Sequence, residues 1–241
     1  MESKLHDTYR AIEQDHWWFV GRRKILLNVL EKYLGNKSSI LDVGCNTGVL
    51  VDILQKKGYN ASGTDISKEA IIHGKTRGVR NLFVAEANRE PFANNTFDCV
   101  LALDVLEHID NDKEALREWK RLLKPGGLLV IKVPAYMWLW GIQDAMAHHK
   151  RRYTAGSLLD VVGLHYTSIL RVSYFNFILF IPIALSRFAQ KWFYPKRTSD
   201  FDLNNAFINT IFTSIFLFEA KLLKFVNFPF GVSLLLIARK T

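Results

Sequence analysis

Apolar positions in this chain fall in short runs that end at a glycine or an acid. Ile40-Leu41-Asp42-Val43 runs straight into Gly44-Cys45-Asn46-Thr47-Gly48, and Val49, Leu50, Ile53 and Leu54 then recur with helical spacing. A strand, a glycine turn and a helix in that order predict the first unit of a doubly wound α/β fold. A second run, Ala61-Ser62-Gly63-Thr64, ends at Asp65, and a third strand precedes Val84-Ala85-Glu86-Ala87. Phe97 to Leu103 reads as a fourth strand. Leu116, Trp119, Leu122 and Leu123 put an apolar stripe on the helix that follows, and Pro125-Gly126-Gly127 is expected to stop it. Leu128 to Pro134 reads as the fifth strand, Ala155 to Val162 as a short helix, Thr167 to Tyr174 as the sixth strand and Gly231 to Ala238 as the last.

The glycine turn carries the first chemical signal. A dinucleotide fingerprint would read G-x-G-x-x-G, whereas this turn reads G-C-N-T-G. The spacing disfavours a nicotinamide cofactor, whose pyrophosphate needs close approach to a helix N-terminus. Asp65 lies 21 residues beyond Gly44, where an acid can accept hydrogen bonds from ribose hydroxyls. The turn resembles motif I of the class I S-adenosylmethionine (SAM)-dependent methyltransferases, with Asn46 in the slot of the middle glycine. The train from about residue 38 to 135, including Glu86, Pro91-Phe92, Asp104-Val105-Leu106-Glu107-His108-Ile109 and Leu123-Lys124-Pro125-Gly126-Gly127, resembles the ubiquinone- and menaquinone-type methyltransferase superfamily.

That resemblance implies an α/β, Rossmann-like seven-stranded sheet, mostly parallel with an antiparallel last strand, and SAM as cofactor. It implies that Asp42, Gly44, Asn46 and Gly48 form the cofactor loop, with Asp42 and Gly44 at the methionine part. It places Asp65 and Ile66 at the ribose, Glu86 and Ala87 at the adenine, and Asp104 toward the sulfonium. Glu107 and His108 are expected to tie their loop to the neighbouring helix.

Composition narrows the setting. The 241 residues suit one α/β domain with an elaboration. Cys45 and Cys99 both sit in apolar strand contexts, which suggests a reducing compartment and no disulfide framework. No Cys/His cluster has metal-ligand spacing, so no metal is expected. Residues 1 to 16 show no secretory signal, so a cytoplasmic protein is expected. The formal net charge is +9, and from Tyr166 onward nine Lys/Arg face three Asp/Glu. Such an excess points to nucleic acid, an anionic membrane or an anionic substrate. Nucleic acid is disfavoured: Leu103-Asp104-Val105-Leu106 stands where base-amino methyltransferases carry Asn/Asp-Pro-Pro-aromatic, and no RNA-binding module is visible.

Two segments lie outside this core. Residues 1 to 36 read as a helical extension, in which His16 to Arg23 concentrates Trp17, Trp18, Arg22 and Arg23; these side chains either plug a surface or form a lid or acceptor clamp. After the fifth strand come Trp138, Trp140, Asp144 and His148-His149-Lys150-Arg151-Arg152-Tyr153. This stretch resembles methyltransferases associated with polysaccharide and lipid-linked sugar pathways. Trp18, Trp138 and Trp140 offer flat apolar faces, Arg151 and Arg152 can grip a phosphate or carboxylate, and His148 or His149 can take a hydroxyl proton.

Between the last two strands about 50 residues intervene, 176 to 228, rich in Phe, Ile and Leu. The core is therefore assigned to 37–175 and 229–241. The uncharged runs Val172–Ser186 and Leu203–Phe218 hold 15 and 16 residues, too short to span a bilayer. With Arg187, Lys191, Trp192, Tyr194, Lys196 and Arg197 they predict an interfacial element facing anionic lipid on the inner face of a membrane. The expected activity is methylation of a hydroxyl on a lipid-linked or glycan-type acceptor. A small-molecule methyltransferase with 176–228 as a buried cap, and a non-catalytic SAM-binding scaffold, are the competing readings. The sequence does not set an oligomeric state.

Overall fold

The computed structural model describes residues 15–166, 168–193 and 206–241. The expectations for residues 1–14, Thr167, Tyr194, Lys196 and Arg197 lie outside these residues, as do those for the side chains of Lys191 and Trp192.

Seven strands form one sheet in the order β3-β2-β1-β4-β5-β7-β6. The strands are β1 (Ser39–Val43), β2 (Asn60–Asp65), β3 (Leu82–Val84), β4 (Phe97–Leu103), β5 (Leu123–Pro134), β6 (Ser168–Phe175) and β7 (Ser233–Arg239). The first five pair in parallel, with Asp42 beside Gly63 on one side and Leu101 on the other. Ile40, Leu41, Val43 and Val100 to Ala102 are fully or almost fully buried, which is why the central strands read as continuous apolar runs. β7 runs antiparallel to β5: the Gly126 amide donates to Lys240 and the Lys240 amide donates to Gly127, both at 2.9 Å. The fold expected from the sequence is therefore present.

One boundary differs. The helix before β5 ends at Leu122, and β5 begins at Leu123, ahead of the glycine pair rather than after it. A register shift between Phe97 and Cys99 lets β4 accommodate the extra residues.

Eight helices of at least five residues occur among the described residues. They are α1 (Trp17–Tyr33), α2 (Val49–Lys56), α3 (Lys68–Thr76), α4 (Asp112–Leu122), α5 (Ile142–Met146), α6 (Ala155–Gly163), α7 (Phe180–Phe193) and α8 (Ala206–Leu222). The Asn111 side chain caps α4 by accepting the Glu114 amide at 3.2 Å, and Ala115, Leu116, Trp119 and Leu122 form its buried stripe. α7 and α8 occupy the interval between β6 and β7, where the apolar insertion was expected.

The chain divides into two compact units. One comprises Leu34–Pro134, Tyr153–Val172 and Leu234–Thr241 and holds most of the sheet. The other comprises Met1–Tyr33, Ala135–Arg152 and Ser173–Ser233. In that second unit α1 packs on α8. Trp17 meets Phe212 edge-on at 5.4 Å, and Asn209 accepts the Trp17 amide at 2.7 Å.

Candidate cofactor site and acceptor segment

The β1–α2 turn is built from residues of positive φ alternating with ordinary ones: Gly44 at 69°, Asn46 at 50° and Gly48 at 75°. Gly44 is exposed, and a Cβ there would come within 2.5 Å of Val105, so only glycine fits. Asn46 is the informative departure. Asparagine is among the few side chains that tolerate the left-handed region, so the turn keeps its shape without the middle glycine.

Asp65, at the end of β2, holds this turn in place. Its Oδ2 accepts the Asn46 amide at 2.8 Å and its Oδ1 accepts the Ser67 amide at 2.9 Å. Both oxygens are thus oriented by backbone donors, and each has a further lone pair for a ligand hydroxyl. Asn46 Oδ1 is buried without a hydrogen-bond partner in the protein, a polar atom that a bound ligand could satisfy. Asp42 is buried in β1; Ile66 is largely exposed, Glu86 exposed and Ala87 partly so. These residues fit an adenosine-bearing ligand: an open glycine backbone, a pre-oriented carboxylate and an exposed apolar side chain beside it. The Cys45 thiol lies under the turn, where burial and the charges of Asp42, Asp65 and Glu90 push its pKa well up; it is not a nucleophile.

Asp104 closes β4 with a φ of 59°. Its carboxylate is clamped by the ammonium of Lys132, itself buried in β5. Glu107, fully buried two residues on from Val105, is pushed well above the usual carboxylate range by burial and by the Asp104 charge, with Lys132 opposing. Lys132 thus offsets the Asp104 charge beside a carboxyl that burial disfavours in its ionised form.

Sequence reasoning passed over Lys132 and Glu90. A charge inside Leu128 to Val133 was the available signal for Lys132. Glu90 is 5 % exposed and accepts a hydrogen bond from the Thr64 hydroxyl at 2.9 Å. Burial pushes its pKa up to about 7, the Thr64 bond opposing, Glu118 adding to the rise and Arg121 opposing it.

The acceptor segment, Ala135–Arg152, belongs to the other unit and is organised around Asp144, which is fully buried. Arg152 grips it with two hydrogen bonds, Nε to Oδ1 at 2.7 Å and Nη2 to Oδ2 at 2.8 Å, and donates Nη1 to the Ala135 carbonyl at 2.9 Å. The Gly141 amide donates to Oδ2 at 2.7 Å, and Arg187 reaches the same oxygen at 3.4 Å and the Leu139 carbonyl. His149 Nδ1 lies 2.8 Å from Oδ1. Burial pushes the Asp144 carboxyl up, but the hydrogen bonds from His149 and Arg152 and the charges of Arg152 and Arg187 outweigh it and hold it well below the usual carboxylate range.

The structure thus separates residues that the sequence grouped. Arg152 is buried and committed to Asp144, whereas Arg151 is half-buried; His149 is held by Asp144, whereas His148 is exposed with a φ of 55°. Trp138 is 63 % exposed and stacks on Tyr136 at 5.7 Å, and Trp140 is exposed. Trp18 packs at 5.7 Å from Phe216 of α8 and stacks on Phe175, which gives it a packing role in this unit. Arg187, expected to face lipid, instead points inward to the Leu139 carbonyl and Asp144.

Comparison with known proteins bears on the first unit. Residues 41–131 match the family Methyltransf_11, a methyltransferase domain. A ubiquinone biosynthesis O-methyltransferase of Vibrio parahaemolyticus is 32% identical over 108 residues, covering 41% of this chain and 45% of the relative. An uncharacterized protein of Methanocaldococcus jannaschii is 33% identical over 168 residues, covering 65% and 63%. The chain spans about half the length of the curated relatives it matches. Among solved structures, a SAM-dependent methyltransferase from Thermotoga maritima superposes with a TM-score of 0.59 at 16% identity, covering 100% of both chains, a likeness of fold. Residues 41–131 thus resemble a methyltransferase domain in sequence, and the chain resembles SAM-dependent methyltransferases in fold.

Proposed function

We propose that this protein is a SAM-dependent methyltransferase that methylates a hydroxyl of a lipid-linked or glycan-type acceptor at the inner surface of a membrane. The observation that carries the cofactor assignment is the Asp65 carboxylate, oriented by the Asn46 and Ser67 amides beside the open backbone of Gly44. Asp42, Gly44, Asn46 and Gly48 would hold the methionine end, Asp65 and Ile66 the ribose, and Glu86 and Ala87 the base, with Asp104 toward the reacting end. When bound, SAM supplies a methyl group on a sulfonium, already activated for in-line displacement. The chain's own task is then to position the acceptor, exclude water and take one proton.

For the acceptor, Trp138 and Trp140 supply flat faces and Arg151 a cation for an anionic group. Arg152 organises the segment. His149 is the better base of the histidine pair: Asp144 accepts from Nδ1–H, which places the basic lone pair on Nε2, the arrangement of an oriented general base. His149 Nε2 would be the atom that takes the proton of an acceptor hydroxyl held by this segment.

Incubating the protein with methyl-labelled SAM and a membrane extract, then fractionating the products, tests the reading. Label is expected in a lipid-soluble or glycan fraction, as an ether stable to mild base. SAM binding with no label in any fraction would favour a scaffold, and label confined to small water-soluble products would remove the membrane acceptor.

A further inference from the structure

α8 carries apolar side chains on opposite faces, and among the described residues one of them is buried and the other exposed. Phe216, Ala220 and Leu223 are buried on the side that packs against α1. Phe207, Ile211, Phe218 and Leu222 lie within one narrow sector of the opposite side and are exposed, and Phe225, in the turn just past the helix, is 86% exposed. At 1.5 Å per residue the stripe from Phe207 to Leu222 runs about 22 Å. α7 repeats the inversion: Ile181, Leu185 and Phe188 follow one another at i, i+4 and i+7 and are each more than 60% exposed, while Arg187 turns inward to Asp144. A helix apolar on every side is usually enclosed by protein or by lipid.

The charges around α8 identify the occupant. Glu219, the one acid in the described residues 206–226, is buried and accepts the Phe177 and Ile178 amides at 2.8 and 3.1 Å. Lys221 and Lys224 are exposed beside the stripe. Among the described residues 206–226 the surface therefore presents apolar side chains and cations with no exposed acid, on a chain of formal charge +9. A second copy docked about a two-fold axis would bring like charges together. An anionic bilayer offers hydrocarbon for the stripe and headgroups for the lysines. Among the described residues no helix is long and apolar enough to cross a membrane, so the helix would lie in the plane of the interface.

We propose that the outward stripe of α8, with that of α7, docks the protein on an anionic lipid bilayer through Phe218, Leu222, Phe225, Lys221 and Lys224. The inference rests on the membrane-surface reading above and gives that surface its residues. Co-sedimentation of the full chain with phosphatidylcholine vesicles, with and without phosphatidylglycerol, tests it without cofactor or acceptor, so its outcome is separate from that of methyl transfer.

Binding is expected to rise with phosphatidylglycerol content and to weaken at high salt. A Phe218→Glu/Phe225→Glu variant should lose at least about tenfold in partitioning with its SAM affinity unchanged, because both side chains are largely exposed and lie outside the β1–α2 turn. Should that variant fold poorly, Lys221→Glu/Lys224→Glu is the second arm. It should lose about fivefold per lysine on anionic vesicles only. Absence of vesicle binding by the parent protein overturns the proposal. So does a dimer in gel filtration that Phe218→Glu/Phe225→Glu converts to a monomer, which would make a second copy the occupant.

Discussion

Glu90 is a carboxyl that the fold keeps out of water beneath the cofactor turn. It meets Thr64 from β2, while Glu118 and Arg121 of α4 face its surroundings; its Oε2 has no hydrogen-bond partner. Its folded pKa, about 7, stands above its ordinary value of 4.5. The neutral form therefore favours the folded state: the stabilisation is complete below about pH 4.5 and is lost as pH rises through about 7. The full linkage is on the order of 3 kcal/mol. Glu90→Gln should remove this dependence, so that urea midpoints of the two proteins diverge between pH 5 and 8, the parent falling. Parallel pH profiles would contradict the burial of an ionisable Glu90. Nothing in the local pattern announces this residue, because its burial comes from β2 and α4, distant in sequence. Asp42, Gly44 and Asp65 were legible because a strand end, a turn and a fixed interval carry their geometry. Asn46 looked like a defect in the motif until its φ of 50° showed that the position needs a left-handed residue rather than a glycine.

At the scale of elements, the tightest joint in the second unit is between α1 and α8. A Cβ on Gly21 would lie 2.1 Å from Phe216 Cδ1 and 2.4 Å from its Cγ, so the glycine is what admits the ring. Gly21→Ala should therefore destabilise the α1–α8 pair by about 1–3 kcal/mol despite its better helix propensity. Adding Phe216→Leu should recover part of the loss. Thermal unfolding followed by tryptophan fluorescence reads both, since Trp17 and Trp18 sit in this joint. A Gly21→Ala protein as stable as the parent would show that the ring has room to move. The sheet elements were readable from apolar runs, apart from the start of β5, where Pro125-Gly126-Gly127 looked like an ending. The ladder to β7 carries the backbone through that pair instead. The orientation of α7 and α8 was not readable: with apolar residues on both sides of α8, periodicity alone cannot say which side meets α1.

For the molecule as a whole, the likeness to a methyltransferase domain covers residues 41–131, while the segments that set this chain apart gather in the second unit. Charge is uneven along the chain, with nine Lys/Arg against three Asp/Glu from Tyr166 onward. The central claim is that the β1–α2 turn and Asp65 bind SAM, and calorimetric titration of the full chain with SAM tests it most directly. The account predicts saturable binding by the parent protein. Asp65→Ala should weaken it at least about tenfold, since hydrogen bonds to a charged acceptor are worth roughly 1.5–3 kcal/mol each. Asp65→Asn, which keeps one carbonyl acceptor, should fall between the two. No binding by a folded parent protein, or equal affinity in parent and Asp65→Ala, would contradict the assignment.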